Sequence, residues 1–395
     1  MDVIKSKIRK MAVIPFIAGF LISACGNQVI NPADQSRIEI NNDEKKLNNR
    51  VKYFDDEAIH LYSLDLSTNL DHVAKKHGFA IKLRAEVEPP EVNGFVVHAS
   101  HVTLDNRRAY VSYSTVNTDY RGGVEIFDIL RLNRPRILSQ ALFLDTDVSI
   151  AARFEGKLYL GGATDSHHSS NFRSPACLEV ITLRNSVLTD ESQRADLPSF
   201  NANDIACFDS TIFVTSGTTD GALSLFDLHS LNLSEQIKIP GAKAVAAHKN
   251  YIVVMEGTGT NLHLFNRSDR SFFKTIPIGC PNFFQSKAEI EIVENRVFLS
   301  AGECGVKVVD LNKETIESGI PAPEGGQTNA VSVDGDLMFM ANGKNGLVMA
   351  KIKRSGFEIL GRAKFAGSTN FVLARDNHVF VANGRGGLKI LEIVR

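Results

Sequence analysis

Five cysteines and eleven histidines are the side chains of this 395-residue sequence best suited to bind a metal or to react. Their spacing favours neither. Cys177, Cys207, Cys280 and Cys304 include no CxxC pair and no set at zinc-ligand spacing. His98 and His101 lie near each other and His167 and His168 are adjacent, but the second pair sits in a run of Ser and Asn that reads as a polar loop. No metal site is expected. The sequence has no G-x-S-x-G, H-E-x-x-H or P-loop pattern. Gly257-Thr258-Gly259-Thr260 opens no helix that could cradle a phosphate, and reads as a hairpin turn. No catalytic residue and no cofactor is therefore assigned. With 44 basic against 45 acidic residues, the formal charge of -1 leaves no global field to attract nucleic acid.

The remaining cysteine, Cys25, has a more telling context. Lys5, Lys7, Arg9 and Lys10 precede the apolar run from Met11 to Ile22, which is too short to span a bilayer comfortably. Then comes Leu21-Ile22-Ser23-Ala24-Cys25-Gly26. This order resembles the lipobox of bacterial lipoproteins. The resemblance implies that residues 1–24 are a cleaved signal peptide and that Cys25 is the acylated first residue of the mature chain. Palmitate-type chains on Cys25 would then hold the protein to the membrane at the bacterial cell envelope, each buried methylene contributing about 0.8 kcal/mol. Gly26 in place of Asp implies outer-membrane sorting, facing the periplasm or the surface. Loss of the signal removes four basic residues with Asp2 and leaves a mildly acidic exported part.

Residues 26 to about 50 are rich in Asn, Gln, Asp and Lys and cannot bury enough apolar surface to fold alone. Within 55–77, Leu66, Leu70, Val73 and Ala74 fall at helical spacing, with Gly78 placed to cap. Residues 25–77 are expected to be a tether with a possible short helix.

From residue 78 the texture changes to short alternating strands. One phrase recurs: Gly123-Val124-Glu125-Ile126-Phe127-Asp128, Cys177-Leu178-Glu179-Val180-Ile181, Ala222-Leu223-Ser224-Leu225-Phe226-Asp227 and Asn261-Leu262-His263-Leu264-Phe265. It continues as Gly305-Val306-Lys307-Val308-Val309-Asp310, Gly346-Leu347-Val348-Met349-Ala350 and Gly387-Leu388-Lys389-Ile390-Leu391-Glu392. The intervals between copies are 54, 45, 39, 44, 41 and 41 residues. Each copy follows an apolar strand such as Ile212-Phe213-Val214, and most follow a small-residue strand such as Val245-Ala246-Ala247 and a more polar one such as Gln236-Ile237-Lys238-Ile239. Four strands per unit at this period describe a β-propeller blade. The last unit stops after its third strand, and the leftover Phe79–Glu86 alternates like the missing fourth. Residues 78–395 are thus expected to be an all-β, seven-bladed β-propeller of four-stranded blades, closed by the N-terminal strand pairing with the last blade.

The sequence has 24 Phe, 7 Tyr and no Trp, which excludes repeats defined by a Trp. The phrases at 122–128 and 386–392 instead resemble LVIVD repeats, a propeller motif of exported bacterial proteins. That resemblance implies fold and export, and no defined reaction. It weakens where Cys177, Ala222 and Asn261 replace the motif glycine.

The propeller places the remaining chemistry. The loop into the innermost strand carries Cys280 and the turn between second and third strands carries Cys304, on one rim of one blade, so a Cys280–Cys304 disulfide is expected. Cys177 and Cys207 are expected as free thiols. The two longest rim loops, 112–122 and 161–177, belong to adjacent blades and carry Tyr113, Asp119, Tyr120, Arg121, His167, Phe172 and Arg173, a mix suited to recognition. The expected function is a non-catalytic binding or scaffold module that engages a protein or glycan through one rim. The alternative is an envelope enzyme, a lyase or hydrolase, with its site at the channel mouth. Three or more His and acidic side chains converging there would favour the enzyme; a broad aromatic patch would favour a partner.

Overall fold

The computed structural model describes residues 28–29, 37–63, 79–115, 119–167, 172–283 and 286–394. Blade 3 shows how the sequence makes each unit. Its strands Ala202–Phe208, Thr211–Gly217, Gly221–Asp227 and Leu233–Lys238 pair in sequence order. The first turn, Asp209-Ser210, has both residues at positive φ, the two-residue geometry whose twist matches antiparallel strands. Alternation in Ala222-Leu223-Ser224-Leu225-Phe226 puts successive side chains on opposite faces, and both faces are covered by neighbouring blades.

Six further sheets repeat this order. They begin with inner strands His98–Asp105, Thr146–Phe154, Ala242–Ala247, Ile290–Val293, Ala330–Asp334 and Phe371–Arg375. The result is a seven-bladed β-propeller, with the inner strands around the axis. Aromatic residues at the centre of the second strands fill the space between blades: Tyr110, Tyr159, Phe213, Phe298, Phe339 and Phe380 are all buried. Each contributes about 1.5–3 kcal/mol by leaving water, which supplies the packing that a Trp would give elsewhere.

The ring closes as the leftover strand requires. Ala80–Val87 pairs antiparallel with Leu388–Val394, from Leu388 opposite Val87 to Val394 opposite Ala80. The motif glycine has its reason here. Gly387 lies at φ +66°, and the Val87 carbonyl occupies the place of its missing Cβ. Gly305 and Gly346 meet the carbonyls of Ile320 and Ala363 in the same way.

The expected tether is corrected. Residues 37–63 are packed on the ring: Ile38–Asn41 adds a fifth strand to blade 1 and Val51–Ile59 adds one to blade 7, while Gln28–Val29 pairs with the edge of blade 2. A four-residue helix, Glu44–Leu47, lies between them with Asp43 capping its start. Val51–Ile59 is extended, and Tyr62 bridges to Arg362 of blade 6. Residues 64–78, which hold the expected helix, lie outside the described residues, as do the signal segment and Cys25.

Two buried ion clusters, which the polar composition hid, hold this strap. Arg37 is 2% exposed; its guanidinium meets Asp145 at 2.9 Å and Glu179 at 2.8 Å and donates to Thr146 Oγ1 at 2.7 Å. Arg50 pairs with the fully buried Glu125, which also accepts from Gln140 and from Tyr113 Oη. Glu125 and Glu179 occupy the same position of the repeated phrase.

Candidate functional site

The rim residues singled out by sequence are dispersed, and two of them are buried. Tyr113 is fully buried, and its hydroxyl donates to Glu125 at 2.6 Å. Phe172 lies beneath two guanidinium groups, with Arg194 Cζ 4.1 Å and Arg37 Cζ 5.2 Å from its ring centre. Both serve the strap clusters and not recognition. Asp119, His167 and Arg173 are exposed and Tyr120 is half-buried. Arg121 pairs with Asp119 at 3.6 Å and stacks on Phe95 at 4.1 Å. His168 lies outside the described residues. His98 accepts a hydrogen bond from Arg385 at 2.9 Å, and His101 packs on Phe371 with ring centres 3.9 Å apart. Among the described residues no three His, Cys, Asp or Glu side chains are placed to hold a metal. Cys280 and Cys304 form a disulfide with Cα atoms 6.0 Å apart, and Cys177 and Cys207 are free. Burial pushes both free thiols up to about 11, which makes them inert at neutral pH.

The convergence of polar groups lies instead at the channel mouth, built by a device that repeats in four consecutive blades. In each inner strand the pairing skips one residue: Ser100, Ser149, Asn203 and Lys243 stand unpaired between the register on either side. A β-bulge of this kind re-aims the extra side chain. Three of the four tie one blade to the next. Ser100 Oγ donates to Val148 O at 3.0 Å, Ser149 Oγ to Asn201 Oδ1 at 3.1 Å, and Asn203 Nδ2 to Ala242 O at 2.7 Å. The fourth, Lys243, is 7% exposed, and among the described residues its ammonium makes no hydrogen bond.

Lys243 borders a cavity of about 150 Å³ on the axis, together with His101, Ser149, Asn201, Asn203, Asn329 and Phe371 and the segment Ser286–Glu289. That is room for several waters or one small ligand. Lys287 crosses the channel from blade 5 and donates to Ser100 O of blade 1 at 2.8 Å. Its side chain lines the cavity.

Burial sets the charge states. It lowers Lys243 to about 8, and it lowers Lys287 to about 8, where the neighbouring Lys243 adds to the effect. Both remain mostly protonated at pH 7. Burial, with the nearby Asp204 and Glu291, raises Glu289 well above the carboxylate range, so it is neutral. Burial, with Lys287, holds His101 well below its usual value, so it is neutral too. Two ammonium groups are therefore the charges that the cavity wall itself presents at pH 7.

The acids around it are occupied structurally. Asp204 accepts from the Ile205 and Val245 amides at 2.7 and 2.8 Å and sits at about 6, raised by burial. Asp147, pushed up to about 7 by burial, accepts from Thr115 N and Oγ1 at 2.7 and 2.8 Å and so anchors Thr115 beside the channel. Sequence reasoning missed this site. The one available signal was a polar residue in each small-residue inner strand, and polar alternation in a strand ordinarily means only a solvated face.

No family profile and no curated protein matches this sequence. Solved propeller structures do match its fold. One, described as the structure of U3-55K, aligns with a TM-score of 0.57 at 10% identity over 79% of this chain and 98% of that one. Another, the crystal structure of RRP9 WD40 repeats, aligns at 0.58 and 10% identity over 81% and 99%. This chain has no Trp, so the likeness is one of ring architecture and not of repeat motif.

Proposed function

We propose that this chain is an exported, lipid-anchored propeller of the LVIVD-repeat kind, acting as a non-catalytic binding or scaffold module at the bacterial cell envelope. Its partner would be a protein or glycan engaged through the rim that carries the channel mouth. The observation that carries this reading is the concentration of irregular polar structure on one rim of a rigid ring. Residues 115, 119–121, 165–167 and 172–175, the disulfide and the mouth of the cavity all lie there, whereas turns such as Glu155-Gly156 and Asp209-Ser210 on the opposite rim are tight hairpins. Lipid anchoring at Cys25 would hold the ring close to the bilayer. Gln28 is already paired with Arg194 of blade 2, and three residues span at most about 10 Å.

The enzyme reading has an observation in its favour: His101, Asp147, Asp204, Glu289 and Glu291 all gather around the channel. Asp204 and Asp147 are engaged by backbone amides, which leaves binding as the stronger reading. Photo-crosslinking in intact cells from Tyr120 and His167, with Glu155 and Asn185 on the opposite rim as controls, tests it. Adducts confined to the first pair are expected; equal or reversed labelling would refute the choice of rim. The Cys25→Ser chain should lose processing and membrane partitioning.

A further inference from the structure

We propose that the axial cavity at the channel mouth is a binding site for a small oxyanion, a carboxylate or phosphate bearing neighbouring hydroxyl groups, with the Lys243 ammonium as its principal contact. This goes beyond the rim reading, because it needs neither the lipid anchor nor a macromolecular partner.

Lys243 carries the argument. Its position on the fourth of four equivalent bulges is one at which Ser100, Ser149 and Asn203 each fasten adjacent blades. A lysine there fastens nothing. Its backbone carbonyl is used, accepting from Thr215 Oγ1 at 3.1 Å, but the residue is 7% exposed and among the described residues its ammonium has no acceptor. A buried unpaired ammonium is costly, so a site that keeps one is built to pair it with something not of the chain.

The other cavity groups say what that something is. Lys287 supplies a second positive charge whose hydrogen bond to Ser100 O uses one of its three protons. Glu289, held neutral, offers a hydroxyl donor instead of a competing anion. Asn201, Asn203, Asn329, Ser149 and Ser286 provide amide and hydroxyl partners for ligand hydroxyls. Phe371 forms an apolar wall beside the neutral His101. The cavity volume limits the ligand to a few heavy atoms beyond its anionic group.

Calorimetric titration of the full chain in detergent, with glycerate and inorganic phosphate as probes and glycerol as the uncharged control, tests this. Binding of at least one anion with Kd below about 10 mM and none of glycerol is expected. Glycerate preferred over phosphate would assign a carboxylate ligand, and the reverse a phosphate. Lys243→Met should weaken binding at least tenfold and raise the melting temperature of the free protein, since it removes an unpaired buried charge. On the unmutated protein, the bound anion should protect Lys243 from reductive methylation, read by peptide mass spectrometry. Failure of both anions to bind, unchanged binding in Lys243→Met, or methylation of Lys243 indifferent to the anion would each overturn the proposal. None of these results bears on the crosslinking test of the rim.

Discussion

Arg37→Ala asks whether the N-terminal strap belongs to the fold. The substitution removes the cation that Asp145 and Glu179 share, at 2.9 and 2.8 Å, and leaves Arg194 at 3.2 Å as the remaining partner of Glu179. It also strips the guanidinium from the rings of Phe143 and Phe172. Breaking a buried ion pair from one side costs about 3–5 kcal/mol, because the abandoned carboxylates stay buried. With an unfolding entropy of about 2.1 cal/mol/K per residue over a ring of roughly 300 residues, 4 kcal/mol lowers the melting temperature by about 6 °C. The assay is thermal unfolding followed by circular dichroism, alongside limited proteolysis mapped by mass spectrometry. The first cuts should fall between residues 37 and 63. A compensating Asp145→Asn, Glu179→Gln pair in the Arg37→Ala background should recover much of the loss, since no charge is then orphaned. A shift below about 1 °C with the strap still resistant to protease would refute the reasoning. So would a loss that the compensating pair leaves untouched.

Three further outcomes follow from the same structure. Cys280→Ser with Cys304→Ser opens a loop of 24 residues and should cost about 3 kcal/mol, read as a fall in the denaturation midpoint that reductant does not deepen. Leu83→Asp places a charge on the closing strand opposite Leu391, where Leu83 is buried, and should cost more than about 3 kcal/mol and expose residues 80–87 to hydrogen exchange before the rest of the ring. Asp147 and Glu291 are both raised to about 7 by burial, against about 4 in the unfolded chain. Between pH 4 and 7 the folded state therefore holds protons that the unfolded chain has released, and stability falls as pH rises through that window. Asp147→Asn should flatten this slope and gain about 1–2 kcal/mol at pH 8, a value reduced from the full shift because the residue is only half-buried. A slope identical to that of the parent protein in pH-dependent denaturation would contradict it.

The fold was written locally, and so it could be read locally. Strand alternation and turn residues act over two to six positions, and seven copies of one phrase fixed the blade count without knowledge of any contact. Ring closure was legible for the same reason, since the last unit lacked a strand and Phe79–Glu86 had the pattern to supply it. Loop positions in the repeat were enough to bring Cys280 and Cys304 to one rim. The strap was not legible. Arg50 and Arg37 find Glu125 and Asp145 across 75 and 108 residues of sequence, and a segment held by two buried ion clusters has the polar composition of a tether. Glu125 and Glu179 were visible in the phrase where later copies have Ser224, His263 and Lys307, but alternation alone cannot tell a solvated position from one awaiting a buried cation.

The same limit explains the rim residues. Tyr113 and Phe172 looked like recognition groups because aromatic residues near a long loop usually are; the strap that buries them comes from elsewhere in the chain. The channel site needed tertiary structure more than any other feature. A bulge is a property of two strands in register, absent from the composition of either, and only the ring sets Ser100, Ser149, Asn203 and Lys243 around a common axis. Sequence by itself determined the repeat, the blade count and the closing strand, because short-range periodicity encodes them. Tertiary structure alone decided which polar residues are buried together, because that depends on contacts whose partners the chain brings from far apart.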